Sequence, residues 1–232
     1  MPGHLAIITA LKEEHAAVQR ALRSCHPQIN VVRAGVGPAS AAAATEKLVQ
    51  NQPSVIVSCG FCGGLAPGAE LGDVILADRV LDGSGDGQPI VCDASRLQQW
   101  RTALESANIR VHVGALASVS AAVTTCEAKR DLGRKANALA VDMESYAIAR
   151  RAQQSGIPML VLRVISDTCD DALPAEIGGF LDEKGNVRAS NVAKFALKGP
   201  RNIKMLMTLK SRSDRALATL KASWQALAPL IH

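Results

Sequence analysis

The sequence predicts an α/β fold, a three-layer α/β/α sandwich around a central, mostly parallel mixed sheet. Three observations predict it. Short apolar runs alternate with amphipathic ones from residue 4 to residue 167, the order that builds strand-helix-strand units. Some runs, such as Ser54-Val55-Ile56-Val57-Ser58, are continuously apolar, as strands covered on both faces must be. Glycines and carboxylates collect where such runs end, the edge at which open α/β sheets bind ligands.

Residues 4–10 form the first strand candidate, and residues 13–24 follow as an amphipathic helix with Glu14 at the junction. Residues 29–34 are a second strand, after which Gly35-Val36-Gly37-Pro38 turns into an Ala-rich helix ending near residue 50. The strand over 54–58 runs into a glycine turn, Gly60-Phe61-Cys62-Gly63-Gly64. Residues 71–80 read as a strand, 82–87 as a polar loop, 97–107 as a helix, 111–118 as a strand and 126–133 as a helix. Val141-Asp142-Met143-Glu144 closes the next apolar run, 145–156 is helical, and Val161-Leu162-Arg163-Val164-Ile165-Ser166-Asp167 closes the last. This unit puts acidic tips at the carboxyl ends of neighbouring strands. Residues 170–190 read as loop, and a basic helical region follows.

With 232 residues, 48% of them hydrophobic, the chain fits a single domain over 1–232. No apolar stretch is long enough to span a bilayer and no secretory leader opens the sequence, so a cytoplasmic protein is expected. The six cysteines are scattered through apparent core segments and are expected to be free thiols. The net charge of +5 divides unevenly, +9 over residues 184–232 against −4 for the rest. A basic tail with only 3% aromatic residues offers no stacking platform, which argues against nucleic acid as a partner.

A Glu and an Asp facing one crevice could grip the hydroxyls of a sugar and protonate a leaving base, which points to a nucleoside. Taken singly, an acid at a strand end is commonly just a helix N-cap. Other motifs carry less. Cys59-Gly60-Phe61-Cys62 has redox spacing but follows a buried strand in a glycine turn, the histidines show no zinc-ligand spacing, and the 82–87 loop lacks the terminal Glu of a calcium loop.

The pieces Ala10-Leu11-Lys12-Glu13-Glu14, Gly35-Val36-Gly37, Gly60-Phe61-Cys62-Gly63-Gly64-Leu65, Leu71-Gly72-Asp73-Val74, Asp142-Met143-Glu144 and Ile165-Ser166-Asp167 together resemble the nucleoside phosphorylase and nucleosidase superfamily, in particular methylthioadenosine nucleosidases. The resemblance covers most of residues 4–169. It implies the nucleoside phosphorylase fold and cleavage of a purine N-glycosidic bond without a metal or organic cofactor. It also implies that Glu144 holds the ribose hydroxyls while Met143 packs on the sugar, that Phe61, Cys62 and Gly63 line the ligand, and that Asp167 keeps or shares a proton for the purine N7. Glu14 matches the carboxylate that activates water. Asp142 is given no role, since a polar strand end can simply face solvent.

Two departures stand out. Phe61 occupies a place where nucleosidases commonly carry a Ser, so the anion pocket is altered. Arg33 is the candidate to supply phosphate-binding charge instead, and water and phosphate both stay open as nucleophile. The C-terminal region, with Asp182-Glu183-Lys184-Gly185-Asn186-Val187 and Lys198-Gly199-Pro200, resembles the hopanoid-associated phosphorylase branch, which implies a lipid-linked nucleoside, adenosylhopane, as substrate. Leu217, Leu220, Trp224, Leu227 and Ile231 then read as a helical stripe for peripheral contact with the inner membrane, or equally as a core stripe. A 5′-methylthioadenosine/S-adenosylhomocysteine nucleosidase, or a non-catalytic nucleoside-binding or membrane-adaptor module, is the alternative reading. A homo-oligomer is the expected assembly.

Overall fold

The computed structural model describes residues 5–23 and 29–231. The order is β1 (Leu5–Thr9), α1 (Lys12–Ala21), β2 (Ile29–Arg33), α2 (Pro38–Val49), β3 (Val55–Gly64), β4 (Val74–Asp82), β5 (Ile90–Val91), α3 (Ala94–Ser106), β6 (Val111–Ser118), α4 (Cys126–Ala136), β7 (Ala140–Asp142), α5 (Ser145–Gln154), β8 (Met159–Asp167), α6 (Ala189–Leu197) and α7 (Pro200–Leu227). His4, Ser24 and Cys25 lie outside the described residues.

The sheet is mixed, with helices on both sides. β2, β1, β3 and β8 run parallel side by side, and β8 then pairs antiparallel with β4. β4, β6 and β7 are parallel, and the tip of β7 returns antiparallel to the end of β3. The pairing therefore closes on itself through β3, β8, β4, β6 and β7. This corrects one expectation: the two acid-tipped strands are not paired with each other, because each pairs with β3 instead.

Alternation along the strands splits the core into two layers. Leu5, Ile7, Val57, Cys59, Leu160 and Leu162 face α1, α3 and α7, whereas Ala6, Ile8, Ile56, Met159 and Val161 face α2 and α5. Trp224 is wholly buried in the first layer, edge-on to Trp100 at 5.4 Å, and its indole N–H points at Cys59 Sγ at 3.1 Å. A side chain buried to that degree contributes about 2–3 kcal/mol. Trp224, Leu220 and Leu227 thus belong to the core, so the stripe read as a membrane face is internal. No helix among the described residues is long and apolar enough to cross a membrane.

Two further elements differ from the sequence expectation. The predicted turn at 60–64 is strand, because β3 continues through it against β8 with a register shift between Cys62 and Gly63. The segment over 170–190 is folded rather than plain loop: a 3-10 turn spans Ala175–Gly179, and a Leu181–Val187 bridge closes a clasp. Its Glu183 carbonyl accepts from the Val36 N–H at 3.0 Å, which draws the clasp over the first two strand-to-helix junctions.

Candidate active site

A cleft of about 220 Å3 opens at the carboxyl ends of β1, β3 and β8, and Glu14, Phe61, Cys62, Gly63, Met143, Glu144 and Asp167 all line it. All seven were expected from the sequence. Glu14, Glu144 and Asp167 come from different elements, the first turn of α1, the residue before α5 and the end of β8, and each is at least nine-tenths buried.

Glu14 is held by backbone alone. Its Oε2 accepts from the N–H groups of Ala10 and Leu11 at 3.0 and 2.9 Å, and its Oε1 accepts from Phe61 N–H at 2.8 Å. Burial pushes its carboxyl above the usual value, against the opposing pull of Arg163 and these three donors. Gly60 makes the arrangement fit: at φ +152° its added Cβ would stand 2.6 Å from Glu14 Oε1. Gly63 does the same for Asp167, whose Oδ2 would be 3.1 Å from a Cβ there.

Glu144 accepts from Gly37 N–H at 2.8 Å through Oε1, which ties the predicted Gly35-Val36-Gly37 turn to the site. Burial, with Asp142 and Glu14 adding repulsion against the attraction of Arg163, pushes its carboxyl up to about 7. Near neutrality it can therefore either donate to or accept from a hydroxyl.

Arg163, which the sequence reading left without a role, organises these acids. It is 2% exposed on β8, with Nη2 2.5 Å from Asp142 Oδ2 and 3.8 Å from Glu144 Oε2. Nη2 also donates to Ser58 Oγ at 2.7 Å, and Nη1 to the Phe61 carbonyl at 3.3 Å. Asp142 is correspondingly structural and does not face solvent. It takes the Arg163 charge, the Ser118 hydroxyl at 2.7 Å and the Ser145 N–H at 3.1 Å, so it satisfies the first backbone donor of α5.

Asp167 Oδ1 accepts from Ser166 Oγ at 2.9 Å, while Oδ2 is paired with the buried ammonium of Lys129, a second residue the sequence did not single out. Arg33 is not brought to the cleft, since its guanidinium donates to Asn186 Oδ1 at 2.9 Å and pins the clasp. The thiols of Cys59 and Cys62 are buried and pushed up, Cys59 to about 12, so neither is an available thiolate.

A mixed sheet closed on itself with buried acids at its carboxyl edge fits the phosphorylase class of enzymes, and the chain belongs to the Phosphorylase superfamily, whose model matches residues 5–198. Among individual proteins, it is 26% identical to the 5′-methylthioadenosine/S-adenosylhomocysteine nucleosidase of Staphylococcus aureus, over 72% of this chain and 80% of the relative. The fold is shared with the Neisseria meningitidis enzyme of the same name in complex with methylthio-immucillin-A, with a TM-score of 0.73 and 18% identity over 97% of this chain and 98% of that one. It is shared too with the futalosine hydrolase of Helicobacter pylori, with a TM-score of 0.71 and 18% identity over 96% and 97% of the two chains.

Proposed function

We propose that this enzyme releases adenine from a nucleoside by cleaving the N-glycosidic bond, and that water is the attacking nucleophile. The observation that carries the reading is the convergence of Glu14, Glu144 and Asp167 on one cleft with Arg163 beneath them. Breaking C1′–N9 leaves positive charge on the ribose and negative charge on the purine, and a site that is pre-charged for both lowers the barrier. Glu144, fixed by Gly37 N–H, holds the ribose hydroxyls, with Met143 against the sugar. Asp167 hydrogen-bonds the purine N7 and passes it a proton. Glu14, raised by burial, takes a proton from the attacking water. A phosphate dianion entering beside Glu14, which must be ionised to act as the base, would meet repulsion, and this supports water. These steps use only side chains of this chain and solvent.

For the substrate we infer adenosylhopane, in keeping with the resemblance of the C-terminal region. Val36, Val119, Val123, Leu173 and Leu181 give the cleft an apolar wall suited to a hydrocarbon substituent. Outside it, Leu197, Ile203 and Met207 are 86%, 50% and 69% exposed on α6 and the start of α7, interspersed with Lys198, Arg201, Lys204 and Lys210. That surface suits peripheral contact with an anionic bilayer, where such a substrate resides. The relatives favour a second reading, 5′-methylthioadenosine or S-adenosylhomocysteine as substrate. Adenine release from adenosylhopane in anionic vesicles, measured beside the two soluble nucleosides, separates them. A higher kcat/KM on the lipid with co-sedimentation on the vesicles is expected; efficient turnover of the soluble compounds alone would assign the second reading.

A further inference from the structure

Lys129 is a fully buried cation that the steps above do not use. It lies in the first turn of α4 between residues of surface character, Glu127, Arg130 and Asp131, yet turns inward. Its ammonium donates to Asp167 Oδ2, to the Thr168 carbonyl at 3.0 Å and to the Asp171 carbonyl at 2.7 Å. Three acceptors match the three donors of an ammonium, whereas a neutral amine would set its lone pair against one of them. The surrounding charges are already committed. The Asp171 carboxylate binds Arg212 of α7 and Thr168, Arg130 pairs with Asp170 at the surface, and the Cys62 thiol on β3 is held protonated by burial. Among the described residues, Lys129 is the cation that contacts Asp167.

We propose that Lys129 is a positioning residue for Asp167 and that its ammonium replenishes the proton Asp167 gives to the departing purine. The proposal rests on the reading of the cleft as an N-glycosidic site. As C1′–N9 breaks, the bonding pair moves to the purine and one proton moves from Lys129 Nζ to Asp167 and on from Asp167 to N7, leaving a neutral amine beside the carboxylate. Water forms the C1′–O bond and gives its proton to Glu14; exchange with solvent returns a proton to Lys129 and empties Glu14. A lone carboxyl group has lost its proton at neutral pH, but an ammonium partner still carries one there.

The test compares kcat across pH for wild type, K129M, K129R, D167N and the D167N/K129M double variant, releasing adenine from 5′-methylthioadenosine or adenosylhopane, whichever the wild type turns over. The ratio of variant to wild type cancels the titrations of Glu14 and Glu144. For K129M the ratio is expected to fall about a hundredfold at neutral pH, the low end of general-acid contributions, and to recover as the pH is lowered towards about 4, where an aspartic acid side chain ordinarily takes up its own proton. K129R, which keeps the charge but does not give up a proton, is expected to show the loss without the recovery, and it serves if K129M does not fold. Adding K129M to D167N should cost nothing further. A ratio flat with pH in K129M, wild-type turnover in K129R, or losses that multiply in the double variant would overturn the proposal and leave Lys129 a packing residue. Absence of adenine release by the wild type would overturn the cleavage reading and this proposal with it.

Discussion

Replacing Glu144 by Gln should stabilise the protein while abolishing its activity, and the gain should depend on pH. The Glu144 carboxyl rises from 4.5 to about 7 on folding, because burial and the neighbouring Asp142 and Glu14 outweigh Arg163. A raised carboxyl means that the native state binds more protons than the unfolded chain between those values, so stability falls as pH rises through that window. The difference between 4.5 and about 7 corresponds to about 3 kcal/mol at pH 8, where the burden is complete, and to less than about 1 kcal/mol at pH 5. E144Q removes the charge and keeps an acceptor for Gly37 N–H. Its advantage over wild type should therefore be about 3 kcal/mol at pH 8, seen as a Tm increase of roughly 6–12 °C for a chain of this size, and should shrink to less than about 1 kcal/mol at pH 5. Thermal and urea denaturation at the two pH values measure it. An advantage equal at both, or larger at pH 5, would refute the electrostatic account of Glu144.

Glu14→Gln removes the base for water, so kcat should fall roughly 10²–10⁴-fold while ligand affinity, measured by calorimetry with an uncleavable nucleoside analogue, stays near wild type. Asp167→Asn should lower turnover at least about tenfold with an unchanged circular dichroism spectrum, and near-normal activity would remove Asp167 from the mechanism. Gly60→Ala would push a Cβ to 2.6 Å from Glu14 Oε1; the displaced carboxylate should cost about 10²-fold in kcat in steady-state assays.

Much of this was legible in the sequence because the signals are local. Apolar runs and the residues that end them give strands and their tips, and Glu14, Glu144 and Asp167 sit at such junctions. Arg163 could have been found, since a charge inside Val161-Leu162-Arg163-Val164-Ile165 has to be buried and therefore needs acidic partners. Lys129 could not, because its helix has the composition of a solvated surface and its partner Asp167 is 38 residues away in the sequence. Non-local pairing likewise hid the separation of β7 from β8, since each joins β3. The α7 stripe was ambiguous for a physical reason: a core face and a membrane face are both apolar, and the packing of Trp224 on Trp100 decides for the core.

Product analysis in 18O-labelled water, with and without phosphate, puts the cleavage reading to its sharpest trial. Wild-type enzyme given 5′-methylthioadenosine or adenosylhopane should release free adenine and a ribose bearing 18O at C1, at the same rate whether or not phosphate is present. A sugar 1-phosphate free of label would contradict water as the nucleophile, and intact nucleoside under every condition would contradict N-glycosidic cleavage itself.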